Sequence, residues 1–140
     1  MSIARLSPIL VGTPVEIHAS VLRLDAPLSF WGGVDPQSGR ITQVRHPQCG
    51  VGIAGTILCL PATIGSSSSS AILLELIRIR AAPAALVMTE PDAILLIGCL
   101  VGREMGWASP PAFRLDAGPM ASLNSGPAHL RADGRLETAA

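Results

Sequence analysis

Apolar and polar residues alternate from residue 15 to residue 21, with Val15, Ile17, Ala19 and Val21 set against Glu16, His18 and Ser20. A period of two predicts a half-buried strand, with His18 on its solvated face. Leu22 and Leu24 shift the alternation, which fits a bulge or a more buried strand end. Residues 51–60 are almost wholly apolar and predict a buried strand in which Gly52 and Gly55 let another backbone approach. The period then changes. Ile72, Leu73, Leu76, Ile77 and Ile79 recur at helical spacing, with Glu75, Arg78 and Arg80 to the side. Leu74 widens the apolar arc, so more than one sheet face is predicted to cover this helix, and Ala81-Ala82-Pro83 ends it. Residues 84–88 and 93–97 are short apolar runs, the second preceded by the turn Glu90-Pro91-Asp92. Strand, helix, strand in this order predicts a βαβ unit. Residues 40–44 and 112–115 have strand character, and residues 99–106 read as a short helix or a turn. Asp133-Gly134, between His129-Leu130-Arg131 and Arg135-Leu136-Glu137, signals a hairpin.

The junction of the 51–60 run with the helix is Gly65 followed by Ser66, Ser67, Ser68, Ser69 and Ser70. Serine hydroxyls accept hydrogen bonds from the unpaired N–H groups of a helix's first turn, and the positive end of the helix dipole favours an anion there. The same field makes it easier for a hydroxyl to lose a proton. An anion site with a candidate nucleophile or base is therefore one reading, and a flexible serine-rich linker is the other. Hydrophobic elements pressing on both sides favour the first.

Two further loops carry uncommon side chains. The stretch 27–39 places Phe30 and Trp31 beside Gly32 and Gly33, then runs into the turn Asp35-Pro36-Gln37-Ser38-Gly39. The two aromatic rings either plug the end of a barrel or sandwich, or serve a lid or docking surface. His46 lies in the turn His46-Pro47-Gln48-Cys49-Gly50 with no second His or Cys at metal-ligand spacing, so a hydrogen-bonded loop histidine is expected.

Composition narrows the classes. The chain has 140 residues, enough for a real core, and zero formal net charge; its ten basic residues are all Arg. Without clustered basic residues, and with two Trp, two Phe and no Tyr, nothing supports a nucleic-acid face. A mean hydropathy of +0.47 implies apolar surface in need of a permanent partner. Glu75, Arg78, Arg80, Glu90 and Asp92 break the longest apolar stretches, so no membrane span is expected, and the N-terminus does not read as a signal peptide. Cys49, Cys59 and Cys99 are odd in number and widely spaced, which fits a reducing cytoplasm, and Cys59 reads as a small core residue.

Taken in order, Pro27-Leu28-Ser29-Phe30-Trp31-Gly32-Gly33-Val34-Asp35-Pro36, Gly39-Arg40-Ile41, His46-Pro47, Gly65 through Ser70, the helix with Glu75, Ala82-Pro83-Ala84-Ala85 and Asp92-Ala93-Ile94 resemble the aconitase X small subunit, or swivel domain. The likeness runs from about Gly12 to Gly106. It implies an α/β fold for residues 1–140 as a single swivelling β/β/α domain, a central β-barrel or sheet with a βαβ unit. It also implies a heterodimer, in which this chain closes over a larger, separately encoded subunit holding the cysteine ligands of an iron or iron–sulfur centre. Members include cis-3-hydroxy-L-proline dehydratases and phosphomevalonate dehydratases, which remove water from a hydroxy acid. By motif the resemblance implies Ser66 as the proton-transfer residue, with Gly65, Ser67, Ser68 and neighbouring N–H groups binding the substrate carboxylate. The wider superfamily has Arg where this chain has Ser68, which implies an arginine from the larger subunit. Ser67 as the base, and a non-catalytic anion-binding module, are the alternatives.

Overall fold

The structure, a computed structural model, describes residues 1–12 and 16–139. Val15 of the predicted first strand lies outside them; the rest of that strand is β3 (Ile17–Arg23). Strands β4 (Ile57–Leu60), β5 (Ala85–Met88) and β6 (Ala112–Arg114) run parallel to β3, linked by α1 (Ser69–Arg78) and α2 (Ala93–Glu104). The predicted βαβ unit is therefore present twice in succession. A short helix α3 (Ala117–Ser122) leads into the hairpin β7 (Gly126–Leu130) and β8 (Arg135–Thr138). Gly134, at φ +91°, takes the left-handed conformation in its turn.

At the N-terminus, β1 (Ser2–Arg5) pairs with β8 and β2 (Ser7–Leu10) pairs with β6. The sheet order is β1-β8-β7-β3-β4-β5-β6-β2. Only Leu6 separates the two strands at opposite ends of that order, and its N–H donates to the Gly134 carbonyl at 2.9 Å. The eight strands thus form one nearly closed, barrel-like sheet in a mixed α/β fold, as the resemblance implied.

Strand alternation sorts the core into two clusters. In β4 and β5, Ile57, Cys59, Ala85 and Val87 join Leu6, Val21, Phe113, Leu130 and Leu136 on the barrel's inner side. Their neighbours Leu58, Leu60, Leu86 and Met88 face Leu73, Leu76, Leu95 and Cys99 of the two helices. Each strand is buried on both faces, which is why its sequence reads as an unbroken apolar run. The helix pair covers α1 beyond its own sheet, as its wide apolar arc predicted. Gly98 of α2 makes the approach possible, since a Cβ there would lie 2.7 Å from the Ser70 carbonyl.

Three expectations are corrected. Residues 40–44 form only isolated bridges, Arg40 with Gly52 and Ile41 with Val34, because the segment folds against its own loop. The buried strand spans only Ile57–Leu60, and Gly55 serves a turn at φ +70° with open space around it. The 93–97 and 99–106 runs merge into one helix, because Asp92 caps it by accepting from the N–H groups of Ile94 and Leu95 at 2.9 and 3.1 Å. The aromatic pair divides: Phe30 is fully buried among the helix-side residues, whereas Trp31 is 57% exposed. Among the described residues, no helix is long and apolar enough to cross a membrane.

Candidate active site

The loop after β4 and the loop after β5 lie together at the carboxyl ends of the parallel strands. Thr63 Oγ1 donates to Asp92 Oδ2 at 2.7 Å, tying the approach to the serine loop to the cap of α2. On its other side the 62–64 segment pairs with the aromatic loop: the Leu28 N–H donates to the Ala62 carbonyl at 3.3 Å and the Ile64 N–H to the Leu28 carbonyl at 3.0 Å. Two segments distant in sequence, through residues 62–64, therefore hold Gly65 and the serines in place.

Within the loop, Ser66 organises the others. Its Oγ accepts from the Ser68 N–H at 3.2 Å and its carbonyl from the Ser69 N–H at 3.1 Å. Ser68 occupies the cap position of α1 but its side chain makes no cap hydrogen bond. The nearest hydroxyl-to-backbone bond is made instead by Ser66, two residues earlier, to the N–H of the cap residue itself. Among the described residues, the N–H groups of Gly65, Ser66, Ser67 and Ser70 have no protein acceptor. Ser66 and Ser68 are half-buried, Ser67 is exposed, and Gly65 is exposed with nothing within 4 Å of where a Cβ would stand. Ser69 is buried, and its hydroxyl has no partner. Unpaired donors at the positive end of a ten-residue helix make a place for a carboxylate.

Arg78 and Arg40 are engaged elsewhere. Arg78, on the last turn of α1, is bound to Glu75 through its Nε at 3.0 Å and its Nη2 at 2.5 Å, which holds the Glu75 carboxyl below its ordinary value. Arg40 donates to the Gly50 carbonyl at 3.1 Å. Nearby grooves are lined by the aromatic loop with Ile72, and by Pro27, Pro61, Ala62, Thr89 and Glu90, but not by the serines. The serine loop stands at the surface, beside concave ground rather than inside it.

The cysteines do not fit an iron–sulfur cluster. Cys59 and Cys99 lie in different core clusters, and burial pushes both thiols up to about 12. Cys49 is exposed and has no companion. His46 is the hydrogen-bonded loop histidine that was expected. It is buried, its Nδ1 accepts from the Gln48 N–H at 3.0 Å, and its Nε2 therefore donates to the Ala26 carbonyl, also at 3.0 Å.

Comparison with known proteins decides the family. The profile of the aconitase X swivel domain matches residues 9–137. The chain belongs to the aconitase X swivel-domain family. It is 43% identical over 110 residues to a cis-3-hydroxy-L-proline dehydratase of Pseudomonas aeruginosa, an alignment covering 79% of this chain and 19% of that protein. It is 40% identical over 103 residues to the phosphomevalonate dehydratase small subunit of Methanopyrus kandleri, covering 73% of this chain and 75% of the relative. The crystal structure of Thermococcus kodakaraensis aconitase X in its holo form superposes with a TM-score of 0.81 at 28% identity, over 98% of both chains.

Sequence reasoning found the serine loop but missed Thr63 and Asp92 as its supports. The signal for Asp92 was local: an Asp after Pro91 and directly before an apolar run is an N-cap signature. Thr63 left no signal, because its partner lies in another loop.

Proposed function

We propose that this chain is the small subunit of a two-chain hydro-lyase, a dehydratase that removes water from a small hydroxy acid, with cis-3-hydroxy-L-proline as the substrate. The observation that carries the reading is the serine loop, where unpaired N–H groups and a half-buried hydroxyl stand together at the start of α1. The substrate carboxylate lies against the N–H groups of Gly65, Ser67 and Ser70, with the Ser67 and Ser68 hydroxyls beside it. The open space at Gly65 lets it approach the backbone.

Ser66 takes the proton from carbon. A serine hydroxyl is a weak base unless its deprotonated form is stabilised, and the Ser68 N–H at 3.2 Å together with the helix field supplies that stabilisation. Ser67, one residue on and more exposed, is the alternative base. The iron or iron–sulfur centre of this family belongs to the larger cysteine-bearing subunit, since the cysteines described above do not suit one. That subunit also closes the exposed serine loop and supplies the missing arginine, and the assembly works in the cytoplasm.

Phosphomevalonate is the second reading, favoured by the Methanopyrus relative, whose name already marks it as a small subunit. A phosphate group calls for guanidinium or ammonium donors gathered near the site, and Arg40, Arg45 and Arg78 are scattered along the chain, with Arg40 bound to the Gly50 carbonyl and Arg78 to Glu75. The proline derivative makes no such demand.

Two measurements test the proposal. Anaerobic purification of the tagged chain from its own host, with mass spectrometry and iron analysis of what stays bound, is expected to recover a larger iron-bearing partner. A clean, iron-free monomer would overturn the two-chain reading in favour of an anion-binding module. In the reconstituted complex, Ser66→Ala is expected to lower turnover by about 10²-fold or more while assembly is unchanged. Turnover that survives the substitution removes Ser66 as the base.

A further inference from the structure

At the opposite end of the parallel strands from the serine loop, a second group of chemically capable side chains meets on the outer face of the sheet. In the β3–β7 ladder His18 stands opposite His129, and in the β7–β8 ladder His129 stands opposite Glu137. Their strand neighbours Ile17, Ala19, Ala128, Leu130 and Leu136 pack into the barrel, so alternation turns all three outward. Glu16 joins them from the entry to β3. The two imidazole rings stack with centroids 4.0 Å apart, and one ligand atom from each of Glu16, His18 and His129 lies within 4.8 Å of the other two.

We infer that Glu16, His18 and His129 bind a divalent late transition-metal ion of the Zn²⁺ class. Two imidazoles and a carboxylate are the donor set such ions prefer, and three protein ligands leave a fourth position for water. An outer carboxylate, Glu137, stands beside His129 without yet hydrogen-bonding it. The His129 Nε2 lies 3.2 Å from Glu16 Oε2, on the side of the cluster, while its Nδ1 faces Glu137 Oε2 at 3.9 Å. In the metal-free structure Nε2–H donates to Glu16 Oε2, so metal binding displaces that proton, and the Glu137 carboxylate, 3.9 Å from Nδ1, is near enough to move in and accept the proton the ring then carries there. Glu137 is itself held by Arg131, whose Nε donates to Oε1 at 2.6 Å. Arg131 therefore braces the outer carboxylate, and its Nη1 is 3.9 Å from Glu16 Oε1, beyond a hydrogen bond.

The sheet fixes the backbone on which the ligands stand, and side-chain rotation does the rest. Tetrahedral coordination at about 2.0–2.1 Å brings donor atoms to roughly 3.3 Å from one another. Nearly parallel rings, 23° apart, must tilt toward a shared ion, and the exposed side chains of His18 and Glu16 are free to do so. Binding joins residues more than a hundred positions apart, so the ion also clamps the β3–β7 seam.

The test uses the full-length chain carrying Cys49→Ser, to remove the one exposed thiol, after chelator treatment. Titration with Zn²⁺ by calorimetry is expected to show one saturable equivalent, and Co²⁺ to give a visible d–d band. His18→Ala and His129→Ala should each weaken binding by at least about tenfold and abolish the zinc-dependent rise in melting temperature, and Glu137→Gln should weaken it by about 10–100-fold. Glu16→Gln, at an exposed position, is the further variant if either histidine replacement unfolds. No saturable zinc binding by the parent chain, or equal binding by the histidine variants, would overturn the inference.

Discussion

Two loops of this molecule are rich in polar groups, and they treat those groups in opposite ways. In the 46–50 turn the His46 ring and the Gln48 side chain are fully engaged: the ring bridges Ala26 to Gln48, and the Gln48 side chain bonds both the Asp25 carboxylate at 2.8 Å and the Asp25 N–H at 3.2 Å. In the serine loop the N–H groups of Gly65, Ser66, Ser67 and Ser70 have no acceptor among the described residues, and the Ser69 hydroxyl is buried without one. A folded chain satisfies nearly all its buried polar groups, so the first loop is built for stability. The second holds donors in readiness, and something from outside the chain must accept from them. This difference separates His46, a titratable side chain committed to structure, from the serines that suit chemistry.

The contrast sets the sizes of three substitutions. His46→Ala strips partners from the Ala26 carbonyl and the Gln48 N–H at once, and should destabilise the fold by about 1–3 kcal/mol in urea denaturation. A midpoint equal to the wild type would mean that water replaces the ring and that the loop does not depend on it. Asp92→Ala removes the cap of α2 and frees Thr63, and should cost about 1 kcal/mol. Because Thr63 leads into the serine loop, faster amide exchange at residues 65–70 should accompany the loss. Unchanged exchange there would detach the α2 cap from the site. Ser67→Ala should stay within about 0.5 kcal/mol of the wild type, since this exposed hydroxyl makes no hydrogen bond as a donor or acceptor among the described residues. A larger loss would show that the loop is a structural cap after all and erase the contrast with His46.

How much of the site was legible follows the range of each interaction. The serine run, the helix behind it and the strand before it are contiguous, so periodicity and cap chemistry placed them from Ile57 to Arg78. Which serine hydroxyl accepts a backbone N–H at the entry to α1 depends on the entry angle of the loop. That angle is set by Thr63, Asp92 and Leu28, so the use of the Ser66 hydroxyl rather than the Ser68 hydroxyl was not readable from local pattern. Strand character at 40–44 was misleading for the complementary reason. A β-branched, alternating segment becomes a strand only when a neighbouring edge is offered, and here the chain turns back on itself within ten residues.

The sequence by itself determined what depends on neighbours in the chain. It set the apolar runs of β4 and β5, buried on both faces, the helical face of α1 and the hairpin at Asp133-Gly134, because strand period, helix period and turn chemistry are local properties. Only the tertiary structure decided what depends on closure of the sheet. Strands β1 and β2 are four residues each and mostly exposed, with too little pattern to announce themselves, and they exist because β8 and β6 present free edges to them. The same closure brings His18 opposite His129 and Thr63 to Asp92. Such pairs carry no local signature, because the register between distant strands and the meeting of distant loops are fixed by burial of the whole core and not by any one segment.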